Sequence, residues 1–93
     1  MELVIYFKKT GEIELRLTKA GKLIYVLDFS FHGNLDDLLI SSVDKVLKEN
    51  RIEALSLKTV RVDGSVDKNS SAYKIALSFI KAWKEAKKLQ LFN

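Results

Sequence analysis

The spacing of apolar residues changes period along this chain. Up to Phe31 it is mostly two, the period of a strand; beyond Asn34 it is mostly three to four, the period of a helix. LVIYF (3–7) is apolar on both faces, which suits a strand inside a sheet. EIELRL (12–17) alternates, with Ile13, Leu15 and Leu17 on one face and Glu12, Glu14 and Arg16 on the other, so one face of this strand is meant for water. KKTGE and KAGK (19–22) read as turns, and LIYVLDFSF (23–31) keeps Leu23, Tyr25, Leu27, Phe29 and Phe31 in one phase. Three strands joined by short turns predict an antiparallel meander.

Asn34, three residues before Asp37, reads as an N-cap with an acid in the first turn of a helix that runs to about Asn50. Leu35, Leu38, Leu39, Val43, Val46 and Leu47 form its inner stripe, and Ile40 widens it. A fourth strand follows at about 56–62, then a polar loop, then a helix capped by Ser70 or Ser71. That helix places Ala72, Ile75, Ala76, Phe79, Ile80, Trp83 and Ala86 on one stripe, with Tyr73 and Leu77 beside it. The order β-β-β-α-β-α predicts one α+β (or α/β) domain over 1–93, with a mixed sheet and two helices on one face. The opposite face would still show Val4, Tyr6, Ile24 and Val26, more apolar than a bare sheet surface should be, and calls for cover by long side chains or by a partner.

Composition narrows the class. At 93 residues, with 47% hydrophobic residues, 30% charged and no proline, the chain is of ordinary globular type rather than disordered. No apolar run approaches the ~20 residues that cross a bilayer, and MELVIYFKK places its charges after its apolar segment, the reverse of a secretory signal. The expectation is a cytoplasmic protein with no membrane partner. Zero cysteines remove disulfides, thiol catalysis and thiolate metal sites. The net charge of +4 is carried by the segment from Asn69 onward, where Lys74, Lys81, Lys84, Lys87 and Lys88 face Glu85 alone. Such a helix is either a solvated face or an electrostatic footprint for nucleic acid.

VDGSVDKNSS (62–71) joins a strand to a helix N-terminus, the arrangement that phosphate-binding loops exploit. It holds one glycine, Gly64, and two carboxylates, Asp63 and Asp67, which repel the same anion, so only Lys68 and the serine cap favour a phosphate there. A two-metal nuclease needs converging carboxylates, and the first strand offers none. Asp28 and Asp63 make at most a pair. His32 is the single histidine, in the turn FHGN, and neither a metal site nor a nucleophile–base pair can be assembled around it. No catalytic, cofactor-binding or metal-binding constellation is predicted. Trp83 and Tyr73 could stack on bases, but Trp83 shares a stripe with Phe79 and Ile80, which favours core or interface packing.

LLISSVDKVLKE (38–49), with His32 upstream, and NSSAYKIALSFIKAW (69–83) carry a resemblance to the N-terminal lobe of the TsaB-like family, the non-catalytic subunit of bacterial tRNA threonylcarbamoyl-adenosine biosynthesis. The first segment stands where that family has a helix of the type L-L-P-x-I-D-x-L-L. The second aligns without a gap to a G-x-G-P-G-S-F-T-G-L-R-I-G-like turn and helix: Ser71 stands for the threonine, Lys74 for the arginine, Ile75 for the isoleucine and Lys81 for a frequent lysine. IYFKKTG replaces the family's strand with an aspartate, Ala72 and Ala76 replace glycines, and DGSVDK replaces the G-P-G turn, so the chain resembles a shortened, degenerate relative. The resemblance implies a ribonuclease-H-like (actin-like ATPase) βββαβα lobe and a scaffold role, in which the two helices bind a TsaD-like partner or a second copy of the chain. The implied interface is Leu38, Ile40, Tyr73, Leu77, Ile80 and Trp83. The alternative is a small tRNA-binding module using the five lysines of the last helix, with direct contact to tRNA left open.

Overall fold

A computed structural model describes residues 1–9 and 11–91. Thr10, in the predicted KKTGE turn, lies outside the described residues. Four strands, β1 (Glu2–Lys9), β2 (Glu12–Lys19), β3 (Lys22–Ser30) and β4 (Thr59–Gly64), form one mixed sheet in the order β3-β2-β1-β4. Two helices, α1 (Leu35–Glu49) and α2 (Ser71–Leu91), complete a small α+β fold. β1, β2 and β3 pair antiparallel, as the meander predicted, and β4 pairs parallel to β1.

The alternation in sequence becomes two faces in space. Leu3, Ile5 and Phe7 of β1 and Ile13, Leu15 and Leu17 of β2 form one cluster with Leu35, Leu39, Val43, Val46 and Leu47 of α1 and Ala76, Ile80 and Trp83 of α2. Both helices therefore cover the same face of the sheet. β3 and β4 run in the same direction, so α1 and α2, each starting at the end of one of these strands, run side by side with their N-termini at one end.

Turn chemistry sets the boundaries. Ala20 (φ 52°) and Gly21 (φ 79°) are both left-handed, as a type I′ two-residue hairpin requires. Gly64 ends β4 at φ 94°, where an added Cβ would lie 2.4 Å from the Phe7 carbonyl oxygen, so only glycine fits. α1 stops in a Schellman arrangement, with Arg51 N–H donating to Lys48 O and Ile52 N–H to Leu47 O; Arg51 itself takes φ 56°.

One predicted element is displaced, and the two predicted helix caps are resolved. β4 begins at Thr59 rather than 56, because Ala54–Ser56 winds into a single 3₁₀ turn whose Ala54 carbonyl accepts the Trp83 indole N–H at 2.7 Å. Asn34 occupies the N-cap position of α1 without a side-chain bond to the helix. Of the two serine candidates, Ser70 caps α2: its Oγ accepts the Tyr73 N–H at 3.2 Å. No helix of the described residues is long and apolar enough to cross a membrane.

Candidate functional site

α2 is a 21-residue helix beside a 15-residue one, and this inequality shapes the surface. Successive helical residues are turned by ~100°, so Ile75, Phe79, Ala82, Ala86 and Leu89, spaced four, three, four and three apart, share one flank. That flank faces α1 across an open groove of about 390 Å³, lined by Asp36, Leu39 and Ile40 from α1 and by Lys74, Ile75, Ser78, Phe79 and Ala82 from α2. Ile40 remains 60% exposed on one wall, and Leu89 is 65% exposed where α2 continues the seam. The apolar lining suits an incoming helix, whose side chains at i, i+3, i+4 and i+7 are the standard fit for such a groove.

The predicted interface residues are divided by the fold. Ile80 and Trp83 lie in the core, 7% and 9% exposed, so neither offers a surface to a partner. Trp83 is instead an internal anchor: its indole holds the Ala54 carbonyl, and Lys87 sits 5.0 Å over its ring. Leu38 and Tyr73 are half-buried. Leu77 is 42% exposed but sits two residues from both Ile75 and Phe79, about 200° round the helix, and so belongs to the other flank of α2. Ile40 alone of the six both lines the groove and is exposed. Ala86, placed on the inner stripe by spacing, lies at the margin of that stripe and is exposed.

The lysines divide as well. Lys74 lines the helix groove near Asp36. Lys81, Lys84, Lys87 and Lys88 surround a separate concavity on the opposite flank, joined by Lys58 from the segment before β4, which sequence spacing within α2 could not reveal. Lys87 is committed inward, donating to the Leu57 carbonyl.

The open face of the sheet carries the carboxylates. Asp28, Glu14, Tyr6 and Asp63 form one row across β3, β2, β1 and β4. The Asp28 and Asp63 pair is thus at opposite ends of four strands, roughly 14 Å apart at the usual strand spacing, too far to share a metal pair. Each acid has a basic neighbour: Lys8 lies 3.9 Å from both Glu14 and Asp28, and Arg61 bonds Asp63 at 3.1 Å and approaches Glu2 at 3.3 Å. The Arg16 guanidinium bonds Glu14 and lies 3.7 Å over the Tyr6 ring. The hydrogen bond from Arg16 holds the Glu14 carboxyl below the ordinary carboxylate range. The Thr59 hydroxyl, with Arg61 behind it, does the same for Glu2, and the Gly64 N–H followed by Arg61 for Asp63. No model of a known protein family matches the chain, and no curated protein matches its sequence.

Among the described residues no group of three or more His, Asp or Glu side chains is placed to hold a metal ion. The strand-to-helix loop is built by its own acids rather than around an anion. Asp67 accepts the Asn69 N–H at 2.9 Å through its carboxylate, and its carbonyl accepts the Ser70 N–H at 2.9 Å and the Ser70 hydroxyl at 2.6 Å. His32 is exposed in the turn before α1.

Proposed function

We propose that this chain is a non-catalytic interaction module whose paired helices receive a helix of a partner protein, as expected of a TsaB-like scaffold lobe docking a TsaD-like protein. The observation that carries this reading is the open apolar groove between α1 and α2, with Ile40 exposed on one wall and the Ile75–Phe79–Ala82 seam on the other. Support for the ribonuclease-H-like assignment comes from the element order, the sheet order β3-β2-β1-β4 with β4 parallel to β1, and two helices on one face. A scaffold needs no catalytic group, and the charged side chains of the open sheet face are paired with one another rather than held in reserve for a substrate. A second copy of the chain would use the same groove.

The test is the solution mass of the chain, alone and mixed with the TsaD-like protein of the same organism, by size exclusion with light scattering. A mixed complex is expected, and it should be lost in Ile40→Lys and in Ala82→Arg, which charge or fill the groove without touching a buried residue. A lone monomer that ignores the partner would overturn the scaffold reading. A complex indifferent to both substitutions would move the interface off the helix pair.

A further inference from the structure

We propose that the flank of α2 facing away from α1, bearing Lys81, Lys84 and Lys88 and extended by Lys58, binds the phosphate backbone of a nucleic-acid duplex. This site is separate from the helix groove and stands whether or not that groove binds a protein. Its first support is convergence: Lys58 comes from a different segment of the chain, yet lines the same concavity of about 420 Å³ as the α2 lysines, with Glu85 as the one acid among the described lining residues. Its second is electrostatic freedom. Among the described residues the ion pairs of the basic side chains fall on Lys8, Lys9, Arg16, Lys48 and Arg61, and none falls on these four lysines. Lys58, Lys81, Lys84, Lys87 and Lys88 against Glu85 make the described lining of this concavity strongly positive.

The spacing and the surroundings select the ligand. Lys81 and Lys88 are seven residues apart, a rise of about 10 Å along the helix, so the cations are spread along a line rather than gathered round one phosphate. A polyanion matches such a line. Single-strand binders add aromatic platforms for unstacked bases, but Trp83, the one aromatic in the concavity, is 9% exposed and tied to Ala54. Membrane-surface helices add a broad apolar face beside their lysines; among the described residues Leu77 is the one exposed large apolar side chain on this flank of α2, and Leu89 lies on the other. What remains is backbone contact without base readout, which a duplex offers at regular spacing.

The experiment is fluorescence anisotropy of the full chain with labelled double-stranded RNA, double-stranded DNA and the matching single strands, across a salt series, beside co-sedimentation with phosphatidylserine vesicles. Duplex binding is expected, with log K falling against log salt at a slope of at most about −3.6 if all four lysines reach phosphates. Lys81→Glu with Lys84→Glu should weaken it about tenfold or more and flatten the slope by about two. Lys45→Glu, exposed on α1, should leave it unchanged. Preference between the RNA and DNA duplexes identifies the source of the backbone. No binding at low salt, tighter binding of single strands, binding to vesicles alone, or an equal loss in Lys45→Glu would each overturn the proposal.

Discussion

The open face of the sheet and the outer surface of the helix pair both carry apolar residues that the core does not take, and they treat them in opposite ways. On the sheet, Val4 stands in register between Arg16 and Arg61 and is only 3% exposed. The aliphatic stems of the arginines cover it while their guanidinium groups bond carboxylates in the next row. Cover fails only toward the β3 edge, where Ile24 and Val26 remain 45% and 39% exposed. Among the described residues nothing comparable closes the groove of the helix pair, and Ile40 and Leu89 stand 60% and 65% exposed. Surplus apolar surface is therefore not by itself a sign of a partner; surplus that the chain leaves uncovered is.

The sharpest break in this comparison is at Trp83, whose burial fixes α2 and with it one wall of the groove. Trp83→Ala removes a buried indole and its bond to Ala54 O, and should cost about 3–5 kcal/mol, a large share of the ~5–14 kcal/mol a chain of this length has in total. The midpoint of urea unfolding, monitored by far-ultraviolet circular dichroism, should fall accordingly. Trp83→Phe keeps most of the bulk and should cost only about 1 kcal/mol more than the packing difference, the worth of the lost hydrogen bond. A mild effect of the alanine variant would mean that Trp83 is a surface anchor after all.

Smaller effects test the cover of the sheet. Arg16→Ala should cost about 1–2 kcal/mol by uncovering Val4 and Tyr6 and removing the guanidinium that bonds Glu14. Arg16→Met, which keeps a stem of similar length, should recover part of that loss; equal losses would show that charge alone matters. Acid acts on the same lattice more weakly. Glu14, Glu2 and Asp63 are held below their ordinary carboxylate values, so the stability they contribute is fully present above about pH 5 and is lost as pH falls through the ordinary and then the lowered values. The Glu14–Arg16 pair accounts for less than about 1 kcal/mol of it. Thermal midpoints should stay level from pH 7 to about pH 5 as far as these groups are concerned, and fall below about pH 4. A fall already complete at pH 5 would contradict the lowered values.

Period-two and period-three-to-four spacing carried most of the architecture, because burial in a sheet and a helix repeats with the backbone. The buried positions Leu35, Leu39, Val43, Val46 and Leu47 of α1, and Ala76, Ile80 and Trp83 of α2, all fall on the predicted stripes. Other features depended on where neighbouring elements end, which spacing does not encode. Leu38 is half-buried and Ala86 exposed because each lies at the margin of its stripe. Lys58 meets the α2 lysines only through the crossing of β4 and α2, and the Ala54–Ser56 turn is held by an indole 29 residues away. The separation of Ile40 from Leu77 was legible, since a residue two places from both Ile75 and Phe79 cannot share their flank.

The smallest expected effect on stability is also the one that most sharpens the comparison. Ile40 projects from α1 next to Leu39, which is 1% exposed, yet is itself 60% exposed. Ile40→Lys removes an apolar side chain from a surface already in water, replaces a β-branched residue with a better helix former, and leaves the cluster around Leu39 untouched. Stability should change by no more than about 0.5 kcal/mol, a shift of at most about 4 °C in the thermal midpoint for a domain of this size. The same change made at a covered position, Val4→Lys, would force an ammonium under Arg16 and Arg61 and should be far more costly. A scan of both variants by differential scanning calorimetry separates the surfaces: near-equal destabilisation would mean that the helix groove is as self-covered as the sheet, and the case for a docked helix would lose its footing.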